Sequence, residues 1–455
     1  MLRTTASAAR RLHTSAVRSS AFADFPLPKD VPLVAPAPVA GVAQTQSGLR
    51  AGAIDNHGPT SSLVLVVPAG ARAESLDSLG VSHFLANYAY KYTSTQTPLR
   101  LAREIELRGM QVRTTTTREF LVYEAEFLRD DLSFALETLA DVVYNTKYNH
   151  WEFDAVKALT VEQAAAASAN AQLAGFELAH RLAFRQGLGN SVVAPQFHSI
   201  NNAKVAQFAK ANLAIGQGAA VFGVGVNPEE LESLANVHFA AASGNAAAKQ
   251  ASQYFGGESR IDLPKGHNVT LAFPGAAAGS ADAATLSVLT TLLGDGTKYV
   301  KWGTEAGSPL TQIGRNAHAG VKAFHASYSD AGLFGISSTC KTSAANATNG
   351  IKQAVAQLKK VGEGQVEAAE VARAVNQAKA AYLMAAEKRA VAARASAAEL
   401  AVRGNVASAK DVVAAIEKVS AQELQKAAQK VLKAKPTLAV AGKSAELPYV
   451  DTLGL

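Results

Sequence analysis

The sequence holds one cysteine, Cys340, in 455 residues. A single thiol excludes an intramolecular disulfide framework, a multi-cysteine zinc site and a cysteine-ligated iron–sulfur cluster, and Cys340 reads simply as a strand residue. Long apolar runs are also missing. Hydrophobic residues make up 48% of the chain, yet no stretch approaches the roughly 18 consecutive apolar residues of a membrane-spanning helix. The densest runs, such as Leu63 to Ala69, are strand-sized. Acid is absent from the first 22 residues, Met1 to Phe22, which carry Arg3, Arg10, Arg11 and Arg18. Those four arginines supply much of the formal charge of +7; set aside, they leave 40 basic residues facing 37 acidic ones. That is an ordinary balance and argues against a dedicated nucleic-acid protein. At about 100 to 200 residues per domain, the chain is long enough for two or three domains with substantial cores.

Spaced Arg among Ala, Ser and Thr, with no acid and no uninterrupted apolar segment, is the composition of a mitochondrial transit peptide rather than a secretory one. Residues 1–22 are read that way, with cleavage expected between Arg11 and Ser20. Residues 23–48 follow as an extended arm. Pro26, Pro28, Pro32, Pro36 and Pro38 deny Phe25 to Pro38 a helix, because each removes a donor and constrains its predecessor. Such an apolar arm lies on its own protein or clasps a partner.

The rest of the chain repeats one plan. A strand-like run, Ser62 to Gly70, leads into a helical pattern from about Ser75; some 206 residues later Asn268 to Gly275 leads into a helix from about Ala281. Each half then offers a strand pair, Val112 to Thr117 with Phe120 to Phe127, and Lys322 to Tyr328 with Gly332 to Thr339. The alternation over Phe120 to Phe127 fits a sheet with one covered face. Helices follow over Ser133 to Val143 and Trp151 to Arg185, the latter with a break, matched by Ala344 to Val361 and Val366 to Arg403. Each half closes on a helix and a strand. The reading is therefore an α+β chain of two homologous domains, 49–239 and 262–455, joined by a linker at 240–261. Each domain is expected to be a mostly antiparallel sheet with helices on one face.

The first helix of the first half reads Gly80-Val81-Ser82-His83-Phe84-Leu85-Ala86-Asn87-Tyr88. It resembles the helix of the pitrilysin-type zinc peptidases, whose H-x-x-E-H signature puts two His at i and i+4 on one face as zinc ligands and a Glu between them to activate water. Here His83 remains, while the resemblance places Ala86 at the base position and Asn87 at the second ligand position. Ala has no titratable group and Asn is a poor zinc ligand. The family's third ligand, a Glu about 75 residues downstream, falls near Glu162 and Gln163. No two of the ten histidines are two, three or four residues apart, so a double-His site is not displaced elsewhere. His83 reads as a histidine partly packed beside its helix neighbours, and the sites expected are no catalytic residue, no metal and no cofactor.

The second half carries Leu293-Gly294-Asp295-Gly296, Val300-Lys301-Trp302-Gly303, Ser308-Pro309-Leu310 and Ala323 to Gly335 with its Tyr-x-Asp-x-Gly-Leu-x-Gly phrase. These stretches are similar to the core-protein branch of the same superfamily, the non-peptidase subunits of mitochondrial ubiquinol-cytochrome c reductase, from about Gly48 to the end. The resemblance implies a structural subunit peripheral to the inner membrane on its matrix side. It also implies pairing with core protein 1 and contact with cytochrome b, the c-type cytochrome and the Rieske protein. An alternative is a non-catalytic, presequence-binding α-type processing-peptidase subunit, although the long glycine-rich loop of that type is here only Gly294-Asp295-Gly296, apart from Gly303 and Gly307. Other chemistry is faint. Gly223-Val224-Gly225 lacks the third glycine and downstream acid of a dinucleotide loop, no G-x-S-x-G elbow exists, and the Ala378 to Ala398 stretch is expected to turn Lys379, Lys388, Arg389 and Arg394 toward solvent or a partner.

Overall fold

The computed structural model describes residues 38–194, 199–213, 216, 218–240, 250–294 and 307–455. The transit peptide, the arm as far as Ala37, part of the linker and the stretch from Asp295 through Gly303 lie outside them.

In the first half, β1 (Val39–Gln44), β2 (Arg50–Asp55) and β3 (Thr60–Val67) precede two short helices, α1 (Val81–Tyr88) and α2 (Pro98–Leu107). The hairpin β4 (Gln111–Thr116) and β5 (Leu121–Leu128) follows. Then come α3 (Leu132–Tyr144), α4 (His150–Ala169), α5 (Ala171–Phe184), α6 (Asn202–Asn212), β6 (Ala220–Val224) and α7 (Pro228–His238). The second half runs β7 (Gly257–Asp262), β8 (His267–Gly275), α8 (Ala281–Leu293), α9 (Pro309–Ala317), β9 (Gly320–Ser327), β10 (Gly332–Cys340) and α10 (Ala344–Gly362). It ends with α11 (Ala368–Ala386), α12 (Arg389–Arg403), α13 (Ala409–Glu417), α14 (Ala421–Lys433) and β11 (Thr437–Gly442).

The internal repeat is a repeat of topology. The first sheet is ordered β1-β2-β6-β3-β5-β4 and the second β7-β11-β8-β10-β9. Without β1 the two orders are the same, and each contains one parallel pair, β2 with β6 and β7 with β11, among antiparallel neighbours. Three strands fall where the sequence promised none, among them β2 (Arg50–Asp55) at the start of the first domain. Val39–Gln44, inside the expected arm, is the edge strand β1 in register with β2. Gly257–Asp262, across the end of the expected linker, is β7. Residues Pro38 to Leu455 form one compact unit.

Helices cover both faces of each sheet, not one, and the second cover is exchanged between halves. One face of the first sheet packs Leu63, Leu65, Leu121 and Tyr123 against its own helices. The opposite face, with Val64, Val66, Phe222 and Val122, is covered by Ala393, Ala397 and Leu400 of α12 from the second half. Reciprocally, Ala272, Leu333 and Ala439 of the second sheet lie under Ala179, Ala183 and Phe184 of α5 from the first half. Small residues bring the helices close. At Gly175 a Cβ would collide with the side chain of Asn268 on β8, whose amide also bonds Ser337 and Thr339.

Polar contacts fasten the same exchange. Arg394 of α12, expected to face solvent or a partner, stays partly exposed and pairs within the chain with Glu124 of β5, with Nη2 at 2.6 Å from Oε2. Lys379 pairs within the second half, with Glu417 of α13 at 3.0 Å. Arg50 donates to the carbonyls of Leu400 and Ala401 at 2.9 and 2.7 Å. The Tyr-x-Asp-x-Gly phrase is also a junction. Tyr328 donates its hydroxyl to His180 Nε2 at 2.8 Å, since Nδ1 of that buried ring donates to the Phe176 carbonyl. Asp330 accepts Arg72 at 2.6 Å, and Arg72 also holds Glu119 at 2.9 Å. Gly332 is glycine because a Cβ would overlap the Ala276 carbonyl.

Leu400→Ala empties a fully buried site between α12 and the first sheet. It should lower the unfolding free energy by about 2–5 kcal/mol. Met384→Ala, at an exposed position of α11, should change it by no more than about 0.5 kcal/mol. Urea titrations followed by circular dichroism compare the two.

Candidate functional site

Helix α1 is set by its N-terminal side. The sequence predicts a helix from about Ser75, but Gly80 takes φ 93°, so only 3-10 turns form before Val81. The orphan N–H groups of the first turn find Glu74, which accepts from Gly80 N at 2.7 Å and from Ser82 N at 2.8 Å, and also from the Ser82 hydroxyl. Burial pushes the Glu74 carboxyl up to about 7 even against these three donors. Asn190 fixes the same segment by donating to the carbonyls of Ala71 and Glu74 at 2.9 and 3.1 Å.

On its other side α1 is clasped to α4 and α6. Phe84 stacks on Phe153 with ring centroids 5.8 Å apart, and Tyr88 meets Tyr148 edge-on and donates to Asn202 at 2.8 Å. This packing turns the 83/87 face of α1 toward the 160/163 face of α4, because residues three or four apart share a helix face.

There the side chains close on one another. His83 Nδ1 lies 3.3 Å from the Ala194 amide, which can only donate, so the ring proton sits on Nε2. Nε2 donates to Gln163 Oε1 at 2.7 Å. Asn87 Nδ2 donates to the same oxygen at 2.9 Å and to Thr160 Oγ1 at 2.9 Å. Thr160 in turn donates to the Val156 carbonyl at 2.7 Å. Every member is neutral, and burial lowers the His83 pKa below its ordinary value, which outweighs the hydrogen bond to Gln163. Ala86 packs against the first core.

Of the two candidates for a third position, Gln163 joins His83 and Asn87, whereas Glu162 lies exposed outside the network. His83 is thus more than a histidine packed beside its neighbours, because both ring nitrogens are engaged. Sequence reading missed Thr160 and Ala194. Thr160 was findable at i−3 from Gln163, but the Ala194 amide carries no sequence signal. The set contains no carboxylate, and its one imidazole is disfavoured from charging, so it holds α1 to α4 and offers no strong base. Among the described residues no group of three or more His, Cys, Asp or Glu is placed to hold a metal ion.

Gln163→Glu places a carboxylate against His83 Nε2 and should raise the His83 pKa relative to wild type. In wild type the lowered pKa means that the neutral ring's stabilisation is complete above the unfolded value of about 6.5. It is lost as the pH falls below that value. A nitrogen-15 NMR titration of the ring reads both, and an unchanged His83 midpoint in the variant would count against the contact.

Comparison with known proteins matches this architecture. A family model described as Insulinase (Peptidase family M16) matches residues 52–196, and one described as Peptidase M16 inactive domain matches residues 199–378. The cytochrome b-c1 complex subunit 2, mitochondrial, of Cryptococcus neoformans is 37% identical over 420 residues, covering 90% of this chain and 93% of that protein. The subunit of the same name from Neurospora crassa is 35% identical over 422 residues, covering 90% of each. That of Mus musculus is 31% identical over 341 residues, 73% of this chain and 74% of the relative. With two M16-type halves and full-length relatives of one kind, the chain belongs to the cytochrome b-c1 complex subunit 2 family of the M16 peptidase superfamily.

Proposed function

We propose that the chain is a non-catalytic structural core subunit of the mitochondrial cytochrome b-c1 complex, the respiratory ubiquinol-cytochrome c oxidoreductase. Its relatives named subunit 2 in fungi and a mammal support that membership. The observation that carries the non-catalytic reading is the Gln163 amide bonded to both His83 and Asn87.

Tested as a zinc site, these residues do not fit. Zinc takes imidazole, thiolate or carboxylate donors. Here the His83 nitrogen that faces the other two side chains carries a proton, and the opposing groups are two carboxamides. Ala86 leaves no carboxylate to activate water. The arrangement reads as the remnant of a zinc-peptidase site whose ligands have become a hydrogen-bonded clasp, with His83, Ala86 and Asn87 in the former motif positions.

The finer assignments follow the resemblance. The chain pairs with core protein 1 and supports cytochrome b, the c-type cytochrome and the Rieske protein from the matrix side, peripheral to the membrane and without a cofactor of its own. No helix among the described residues is long and apolar enough to cross a membrane. The transit peptide at 1–22 delivers it, the arm shortens to 23–38, and the two domains take up β1 and β7 at their margins.

Native electrophoresis of detergent-solubilised mitochondria, with identification of co-migrating chains, tests the assignment. Co-migration with cytochrome b is the expected result. A soluble pair with a zinc-containing processing subunit, whose activity depended on adding this chain, would assign it to the processing peptidase instead. The Ala86→Glu, Asn87→His double variant should hydrolyse no peptide, because Gln163 still stands at the third position; turnover by it would show the site to be less altered than proposed.

A further inference from the structure

Between α4 and α5, with Ala194 on its border, lies a cleft of about 430 Å³. That volume falls in the range of small-molecule sites. Its walls are mostly apolar, with Val161, Leu173, Leu178, Val193 and Ile261 among them, and only four side chains there are polar or charged.

Three of the four have hydrogen-bond partners within the protein. Glu177 accepts Arg118 on Oε1 at 2.6 Å and the Val192 amide on Oε2 at 3.2 Å. The Ser168 hydroxyl donates to the Ala165 carbonyl at 3.0 Å, and the Ser191 hydroxyl accepts the Val193 amide at 3.2 Å. Arg181 is the fourth. The residue one turn before it that would ordinarily pair with it is Glu177, and that carboxylate is turned to Arg118 on one oxygen and to the Val192 amide on the other. Among the described residues Arg181 has no side-chain partner. The cleft therefore presents an apolar trough and one exposed guanidinium without a side-chain partner among the described residues, which carries five donors in a fork shaped for a carboxylate.

We propose that this cleft binds a medium-chain acyl carboxylate, its chain along the apolar walls and its head on Arg181. An aliphatic tail suits walls that are mostly apolar, since a polar group brought against them would lose its water with little compensation. A single carboxylate matches the single free cation. This site borders the His83 clasp, since Ala194 lines the cleft while its amide bonds His83 Nδ1, and it does not depend on the chain's place in a respiratory complex.

The test uses the purified full-length chain and a fluorescent undecanoate probe, displaced by dodecanoate, by dodecanol and by a short peptide with an apolar C-terminal residue and free carboxylate. Dodecanoate should displace the probe at least about tenfold more tightly than dodecanol. Arg181→Gln should remove that advantage and leave dodecanol unchanged, Arg181→Lys should retain part of it, and Ala165→Phe, which fills the trough, should weaken both. Arg181 is exposed, so matching thermal midpoints will show that its variants are folded. Equal binding of acid and alcohol, no effect of Arg181→Gln, no saturable probe binding, or tighter displacement by the peptide would each overturn the proposal.

Discussion

A β-sheet with apolar side chains on both faces needs two covering layers, and each half of this chain supplies only part of its own cover. The missing layer comes from across the molecule: α12 of the second half lies over the first sheet and α5 of the first half over the second. Either half alone would expose the row of Val and Phe, or of Ala and Leu, that its counterpart covers. The polar contacts follow from that exchange. Glu124, set in the first sheet, is compensated by Arg394 of the crossing helix, and buried His180 of α5 is satisfied by Tyr328 from the second half. A buried charge or ring nitrogen deprived of such a partner costs more than an ordinary surface contact is worth.

The clasp at His83 depends on this frame. Helix α1 spans only eight residues, too few to stand without tertiary support. It is held by Glu74 at its start, by Phe153 and Tyr148 along its flank, and by Gln163 and Thr160 on the face a peptidase would use for metal. A neutral network suits a scaffold. It is complete without a bound ion, and it asks for no charge at a partly buried site, where charge would be costly. On the proposed reading, the arrangement supports structure at the motif positions that carry chemistry in zinc peptidases.

Much of this was legible in the sequence because it rests on pattern. The apolar runs that became β3 and β8, the paired hairpins after them and the matching final helix and strand identified two α+β halves. The break in the long helix after Trp151 lies at Asn170, whose side chain caps the next helix by accepting from Gln172 and Leu173. The edge strands were hidden. Val39–Gln44 is interrupted by Gly41 and follows a proline-rich stretch, and Gly257–Asp262 carries Glu258, Arg260 and Asp262, so neither shows the β-branched density of an interior strand. The helix exchange was hidden for a different reason. Ala179, Ala183, Ala393 and Ala397 pack closely on the sheets because they are small, yet Ala-rich helices carry weak periodicity and do not say which sheet they cover. The third position of the site was ambiguous by one residue. On a helix one residue is a rotation of about 100°, enough to turn Glu162 to solvent while Gln163 reaches His83 and Asn87.

The most direct test is titration of the purified, metal-free chain with zinc at neutral pH in a calorimeter, with His83→Ala alongside. A clasp that has replaced a metal site predicts no stoichiometric zinc binding that depends on His83, and identical traces for the two proteins. One zinc per chain, bound by wild type and lost in His83→Ala, would contradict the account.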